Sequence, residues 1–169
     1  MTDIGEALWN DSVDPSSYGG TARDYQGAVF EQYRLCVEMA DRVSARRSLA
    51  NTFFLSLNSV IVTVLTALLR ELHGRLSTWM MLPGLLVLVS MCAAWYAMVR
   101  SYRQLNAAKF AVVGALEERL PAFAYSRAEW RALGEGKDWR RYLPFTHIEQ
   151  WVPFIFVLAY LTGFLILAL

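Results

Sequence analysis

Leu49 to Leu69, LANTFFLSLNSVIVTVLTALL, is twenty-one residues long and holds no charged side chain. At the α-helical rise of about 1.5 Å per residue it covers roughly 30 Å, the hydrocarbon thickness of a bilayer. The run also carries polar side chains at a regular interval. Thr52, Ser56, Ser59, Thr63 and Thr66 are spaced 4, 3, 4 and 3, so on a helix they form one narrow stripe, with Asn51 and Asn58 beside it. A membrane helix with such a seam faces something other than lipid. Two readings fit: small hydroxyl residues that let helices pack closely and hydrogen-bond, or the lining of a pore or water-filled cavity in a ring of protomers.

Two further apolar runs make the chain an expected integral membrane protein, all-α, with three transmembrane helices. They are WMMLPGLLVLVSMCAAWYAMV at 79–99 and the stretch from Trp151 to Leu169. Together the three runs explain why 56% of the 169 residues are hydrophobic and only 18% charged, against about a quarter in a soluble domain. The net charge of +1 implies no general attraction to nucleic acid. The N-terminus, MTDIGEALWNDSVD, is acidic and lacks a basic segment followed by an apolar core, so the first span is expected to serve as the insertion signal.

The expected organisation is a flexible acidic tail at 1–20, an amphipathic helix at 21–47 and the first span at 48–69. An outer turn at 70–78, the second span at 79–99, a cytoplasmic helical segment at 100–150 and the third span at 151–169 follow. Val29, Tyr33, Cys36, Ala40 and Val43 repeat at 4, 3, 4, 3, a heptad seam for the hairpin or an oligomer. No proline or glycine separates that seam from the Leu49 run, so one helix of about 45 residues is expected. Leu105, Ala108, Val112, Leu116 and Leu120 form a second stripe beyond the second span, ending at Pro121. The two extensions should zip together as an antiparallel hairpin. Ser126-x-x-Glu129 and Thr146-x-x-Glu149 read as capping boxes. Fourteen basic residues lie on the N-terminal side of the expected topology and two, Arg70 and Arg75, in the outer turn. The positive-inside rule then puts the N-terminus in the cytoplasm and Leu169 at the outer face.

Chemistry is sparse. No glycine-rich phosphate-binding run follows a strand, and no nucleophile sits beside a base, so no catalytic residue, cofactor or enzyme activity is expected. Cys36 and Cys92 lack metal-ligand spacing and read as buried free thiols. His147 and Glu149 could form a metal or proton site, but spacing i, i+2 puts them on different helix faces. Interfacial anchoring by His147 and capping by Glu149 is the alternative. No ionisable Asp, Glu, Lys, Arg or His lies mid-membrane, which argues against proton-coupled transport.

The last 70 residues carry a recognisable pattern: a YRxLNxxKF helix ending in Leu-Pro, an acidic-Trp element, and YxPFTHIE leading into an apolar span. Here these are Tyr102, Arg103, Leu105, Asn106, Lys109, Phe110, Leu120, Pro121, Glu129, Trp130, Tyr142, Pro144, Phe145, Thr146, His147, Ile148 and Glu149. The pattern resembles the RipA family of small octameric bacterial inner-membrane proteins. The resemblance implies a homo-octamer with the cytoplasmic helices as a collar, and no catalytic residues. It ties the Arg103–Asn106–Lys109 face to the 142–149 segment, with Glu149 or His147 expected to meet Arg103 or Tyr102. The expected function is a non-enzymatic scaffold in the bacterial inner membrane whose partners are the bilayer, its own copies and a cytoplasmic protein. The alternative is an oligomeric channel or membrane-permeabilising effector.

Overall fold

The computed structural model describes residues 4–16, 18, 20–71, 78–137 and 145–168, and for residues 69, 78, 80, 145–147 and 168 the backbone alone. Among the described residues the fold is all-helical: α1 (Ile4–Leu8), α2 (Ala22–Glu71), α3 (Thr78–Glu117), a π-helical turn (Ala124–Glu129), α4 (Trp130–Ala132), a 3-10 turn (Gly134–Gly136) and α5 (Phe145–Ala168). α2, α3 and α5 are each long and apolar enough to cross a membrane. α2 is 50 residues without a break, as its lack of interior proline allows. Pro83 and Pro153 lie within α3 and α5, both past the first turn, so each of these helices goes without one interior backbone hydrogen bond there.

The chain divides into two compact units, Met1–Ala45 with Gln104–Leu143, and Arg46–Arg103 with Pro144–Leu169. In the first unit, Val29, Ala40 and Val43 of α2 and Val113 and Leu116 of α3 are buried. Tyr33 and Cys36, from the same α2 seam, are half-buried. The α3 stripe differs from the expected one: Leu105 and Ala108 are exposed, and the buried line runs through Val113, Leu116 and Glu117. The polar Glu117 lies on the inner face beside Leu116 because it has a set of donors there. The N-terminal segment, expected to be a flexible tail, contributes α1 and lays Trp9 under the Arg119 guanidinium, 3.5 Å from the ring centroid. Arg119 also donates to the Tyr25 hydroxyl at 2.8 Å. At the far end of this unit Gly136 has φ +71, and a Cβ there would stand 3.1 Å from the Trp130 ring. Glycine meets both demands.

In the second unit, the spanning parts of α2 and α3 pack with α5 around Trp95, which is fully buried. Phe54 stacks on Trp95 at 5.8 Å between centroids, and Phe156 lies tilted against it at 5.9 Å. Phe156 in turn meets Tyr160 at 6.2 Å. Each of the three helices thus places an aromatic ring in one cluster, where large rings bury the most area per residue.

Candidate functional site

In the second unit the side chains Asn51 and Asn58 turn inward, away from the hydroxyl stripe they flank. The Trp95 indole N–H donates to Asn51 Oδ1 at 2.9 Å. Asn58 is fully buried. Its Nδ2 donates to the Phe54 carbonyl at 2.8 Å, and its Oδ1 accepts from the Tyr160 hydroxyl at 2.8 Å and from the Cys92 thiol at 3.6 Å. One amide therefore ties α2 to α3 and to α5. In an apolar surround an unpaired amide costs several kcal/mol, so this satisfaction is what permits an asparagine there. Periodicity alone showed the two asparagines as neighbours of the stripe; their partners Trp95, Cys92 and Tyr160 lie too far along the chain to be paired with them by pattern.

The stripe itself behaves oppositely. Thr52, Ser56, Ser59, Thr63 and Thr66 are all exposed on the protomer, as is Ser48 one step before them. Ser59 donates to the Leu55 carbonyl at 2.8 Å, Thr63 to that of Ser59 at 2.9 Å and Thr66 to that of Val62 at 2.7 Å. Those three protons are thus spent within α2, so the part of the stripe from Ser59 to Thr66 is a small, polar but satisfied surface. Phe53, Val60 and Val64 are exposed on the same helix. α5 offers a contrast: most of its exposed positions, among them Trp151, Ile155, Leu158, Leu165 and Ile166, are large and apolar, as a lipid-facing helix requires, with Ala159, Thr162 and Gly163 the smaller exceptions.

Where α5 begins, Glu149 reaches the Arg47 guanidinium of α2 at 3.6 Å, and Arg103 of α3 donates to the Gln150 side-chain oxygen at 3.1 Å. The contact expected between Glu149 and Arg103 is thus taken by the next residue. Successive helical residues lie about 100° apart, so Glu149 faces α2 while Gln150 faces α3. Arg47 Nε and Glu149 Oε2 are buried and too far apart to hydrogen-bond each other, and neither finds another partner among the described residues. Tyr142 lies outside the described residues, as do the side chains of Phe145, Thr146 and His147; the second capping box falls there too. No group of three or more His, Cys, Asp or Glu side chains suited to a metal occurs among the described residues. Cys36 and Cys92 are free, Cys92 buried and Cys36 half-buried.

The first unit has its own polar centre, and the sequence did not single it out. Glu117 is fully buried at the end of α3. One carboxylate oxygen accepts from the Tyr33 hydroxyl at 3.2 Å and from the Tyr125 amide at 2.9 Å. The other accepts from the Ser126 amide at 2.9 Å and from the Ser126 hydroxyl. Burial raises the pKa of the carboxyl group, but these hydrogen bonds outweigh it and hold it below the ordinary glutamate value. Burial and the same carboxylate push Tyr33 up to about 12. The expected capping box of Ser126 and Glu129 is not formed: the turn carries no cap from its own side chains. A charged acceptor from the preceding helix takes the Ser126 donors, because hydrogen bonds to an ion are about twice as strong as neutral ones. Of the remaining motif residues, Tyr102, Asn106 and Lys109 are half-buried, Asn106 Oδ1 has no partner among the described residues, and Trp130 is exposed.

Leu35, Cys36 and Met39 of α2 and Ala108, Lys109 and Val112 of α3 line a groove of about 310 Å³ in the first unit, largely apolar with one cation. No curated protein and no solved structure matches this chain. The sequence pattern of one family does, over residues 30–169. That match covers both polar centres, the hydroxyl stripe and all three spanning helices. The chain is a self-associating membrane protein and belongs to the octameric membrane protein family, 8xMP.

Proposed function

We propose that this chain is the non-enzymatic subunit of a homo-octameric scaffold in a bacterial inner membrane. The observation that supports the reading most is the division of polar groups on α2: Asn51 and Asn58 face inward, and the five hydroxyls face out. The inward set completes the protomer. The outward set is left for a neighbouring copy, against which small hydroxyl residues allow close backbone approach. The distribution of basic residues favours a cytoplasmic N-terminus and an outer Leu169. The groove between Met39 and Val112, with Lys109 in its wall, gives a cytoplasmic protein partner an apolar seat.

The same outward stripe supports an oligomeric channel, since residues that line a central opening must also be free on the protomer. Replacing Ser59 and Thr63 together with leucine separates the two. For the scaffold, the detergent-solubilised particle falls from the mass of eight chains to smaller species, and liposomes holding the wild-type protein pass no ions. An unchanged mass with wild-type ion flux that the double variant abolishes would establish the channel instead.

A further inference from the structure

At one end of the second unit the three helices draw apart around a cavity of about 330 Å³. Its walls come from the last turns of α2 (Val62, Leu65, Thr66, Leu68), the first turns of α3 (Met81, Gly84, Leu85, Leu88) and the last turns of α5, including Tyr160, Gly163 and Phe164. A Cβ at Gly84 or at Gly163 would meet no atom within 4 Å, so the space beside both glycines is open. Both wall hydroxyls have spent their protons, Thr66 on the Val62 carbonyl at 2.7 Å and Tyr160 on Asn58 at 2.8 Å.

We infer that this cavity is a binding site for one acyl chain of a bilayer glycerophospholipid. Water is a poor occupant, because a buried molecule needs two to four polar partners and the otherwise apolar wall offers no free donor and only the Thr66 and Tyr160 oxygens as acceptors. A helix of a second copy does not fit either. It is roughly 10 Å across and would use the whole volume in less than one turn. A hydrocarbon chain is thin and flexible, and at this depth of a membrane helix bundle it is the solvent. The volume lies at the lower end of ordinary ligand sites, roughly 300–1,000 Å³, which are likewise mostly apolar. No ionic or free donor group lines the cavity, so the headgroup stays outside and contributes little to selection. Chain length and unsaturation set the affinity.

The test uses the full-length protein in vesicles of phosphatidylethanolamine and phosphatidylglycerol, doped with a phospholipid whose acyl chain carries a diazirine near its terminal methyl. After irradiation, adducts are mapped by mass spectrometry. We expect adducts on Leu85, Leu88 and Phe164 as well as on the outward residues Ile155 and Leu158. Gly163→Leu, which fills the cavity, lowers the first group at least tenfold, on the order of what losing one well-packed site gives. It leaves the second group unchanged, and Gly163→Ala retains most of the first. Gly84→Leu repeats the experiment from another helix should Gly163→Leu fail to assemble. Absence of cavity adducts in the wild-type protein would overturn the inference without recourse to any variant. So would cavity adducts that persist undiminished in a correctly assembled Gly163→Leu or Gly84→Leu protein.

Discussion

Glu117 and Asn58 are both fully buried, and each gathers separate pieces of its own unit, yet one is an ion and the other is neutral. Glu117 is met by two amide N–H groups and two hydroxyls. That number of donors replaces most of what water would supply to a carboxylate, so the charge survives burial. Asn58 sits among membrane helices with one hydroxyl, one thiol and one carbonyl as partners. Such a set satisfies an amide but would leave an ion uncompensated, and charges at that depth are expensive. The two hubs solve one problem, tying together elements distant in sequence, under different limits on desolvation.

The largest effect should come from breaking the charged hub. Glu117→Ala leaves the Tyr125 and Ser126 amides without an acceptor, at a cost of about 3 kcal/mol. Hydrogen exchange at those two amides should quicken by about 10²-fold, since about 1.4 kcal/mol is a factor of ten. Glu117→Gln keeps one acceptor oxygen and should lose about half as much free energy. Exchange around Asn58 should not change in either variant. If both hubs loosen together, the contrast between them is wrong.

Acid provides a milder version of the same break. The Glu117 pKa is lowered in the folded protein, so its contribution is fully present above the unfolded value of about 4.5 and is lost as pH falls through the folded one. The amide chemical shifts of Tyr125 and Ser126 should therefore titrate at a pH below about 4.5, and in Glu117→Gln they should not. The Asn58 hub holds no group that ionises in acid, and the Tyr160 and Cys92 environments should stay constant through the same range. A midpoint above the ordinary glutamate value would mean that burial outweighs the hydrogen bonds.

The spans were legible in the sequence because an uncharged run of about twenty residues has few alternatives. The α2 seam was legible for a similar reason: Val29, Ala40 and Val43 repeat on one face, and they are buried. Spacing could not say which face of α2 turns inward within the membrane, because the hydroxyl stripe and the two asparagines are both polar. The decision rests on Trp95, Cys92 and Tyr160, more than thirty residues away. Glu117 escaped notice for another reason. It is the first of two adjacent glutamates before Arg119, which look like a solvated helix end, and two of its four donors are backbone amides that carry no residue identity. The Ser126-x-x-Glu129 spacing was a genuine local signal, defeated by a stronger acceptor eight or nine residues upstream.

The smallest expected effect tests whether Asn58 is a hub or only one end of a pair. Tyr160→Phe removes one hydrogen bond and keeps the ring against Phe156, and interhelical hydrogen bonds in membranes average about 0.6 kcal/mol. Asn58→Leu removes the amide itself, leaving the Tyr160 hydroxyl and the Cys92 thiol unpartnered, and should cost about 2 kcal/mol. The double variant should cost no more than Asn58→Leu alone, because it also removes the hydroxyl that Asn58→Leu leaves unpartnered. Unfolding free energies in mixed micelles would give all three values. Full additivity would show that Tyr160 is anchored by something other than Asn58. A loss on Tyr160→Phe as large as that on Asn58→Leu would make the tyrosine, and not the asparagine, the group on which the three helices converge.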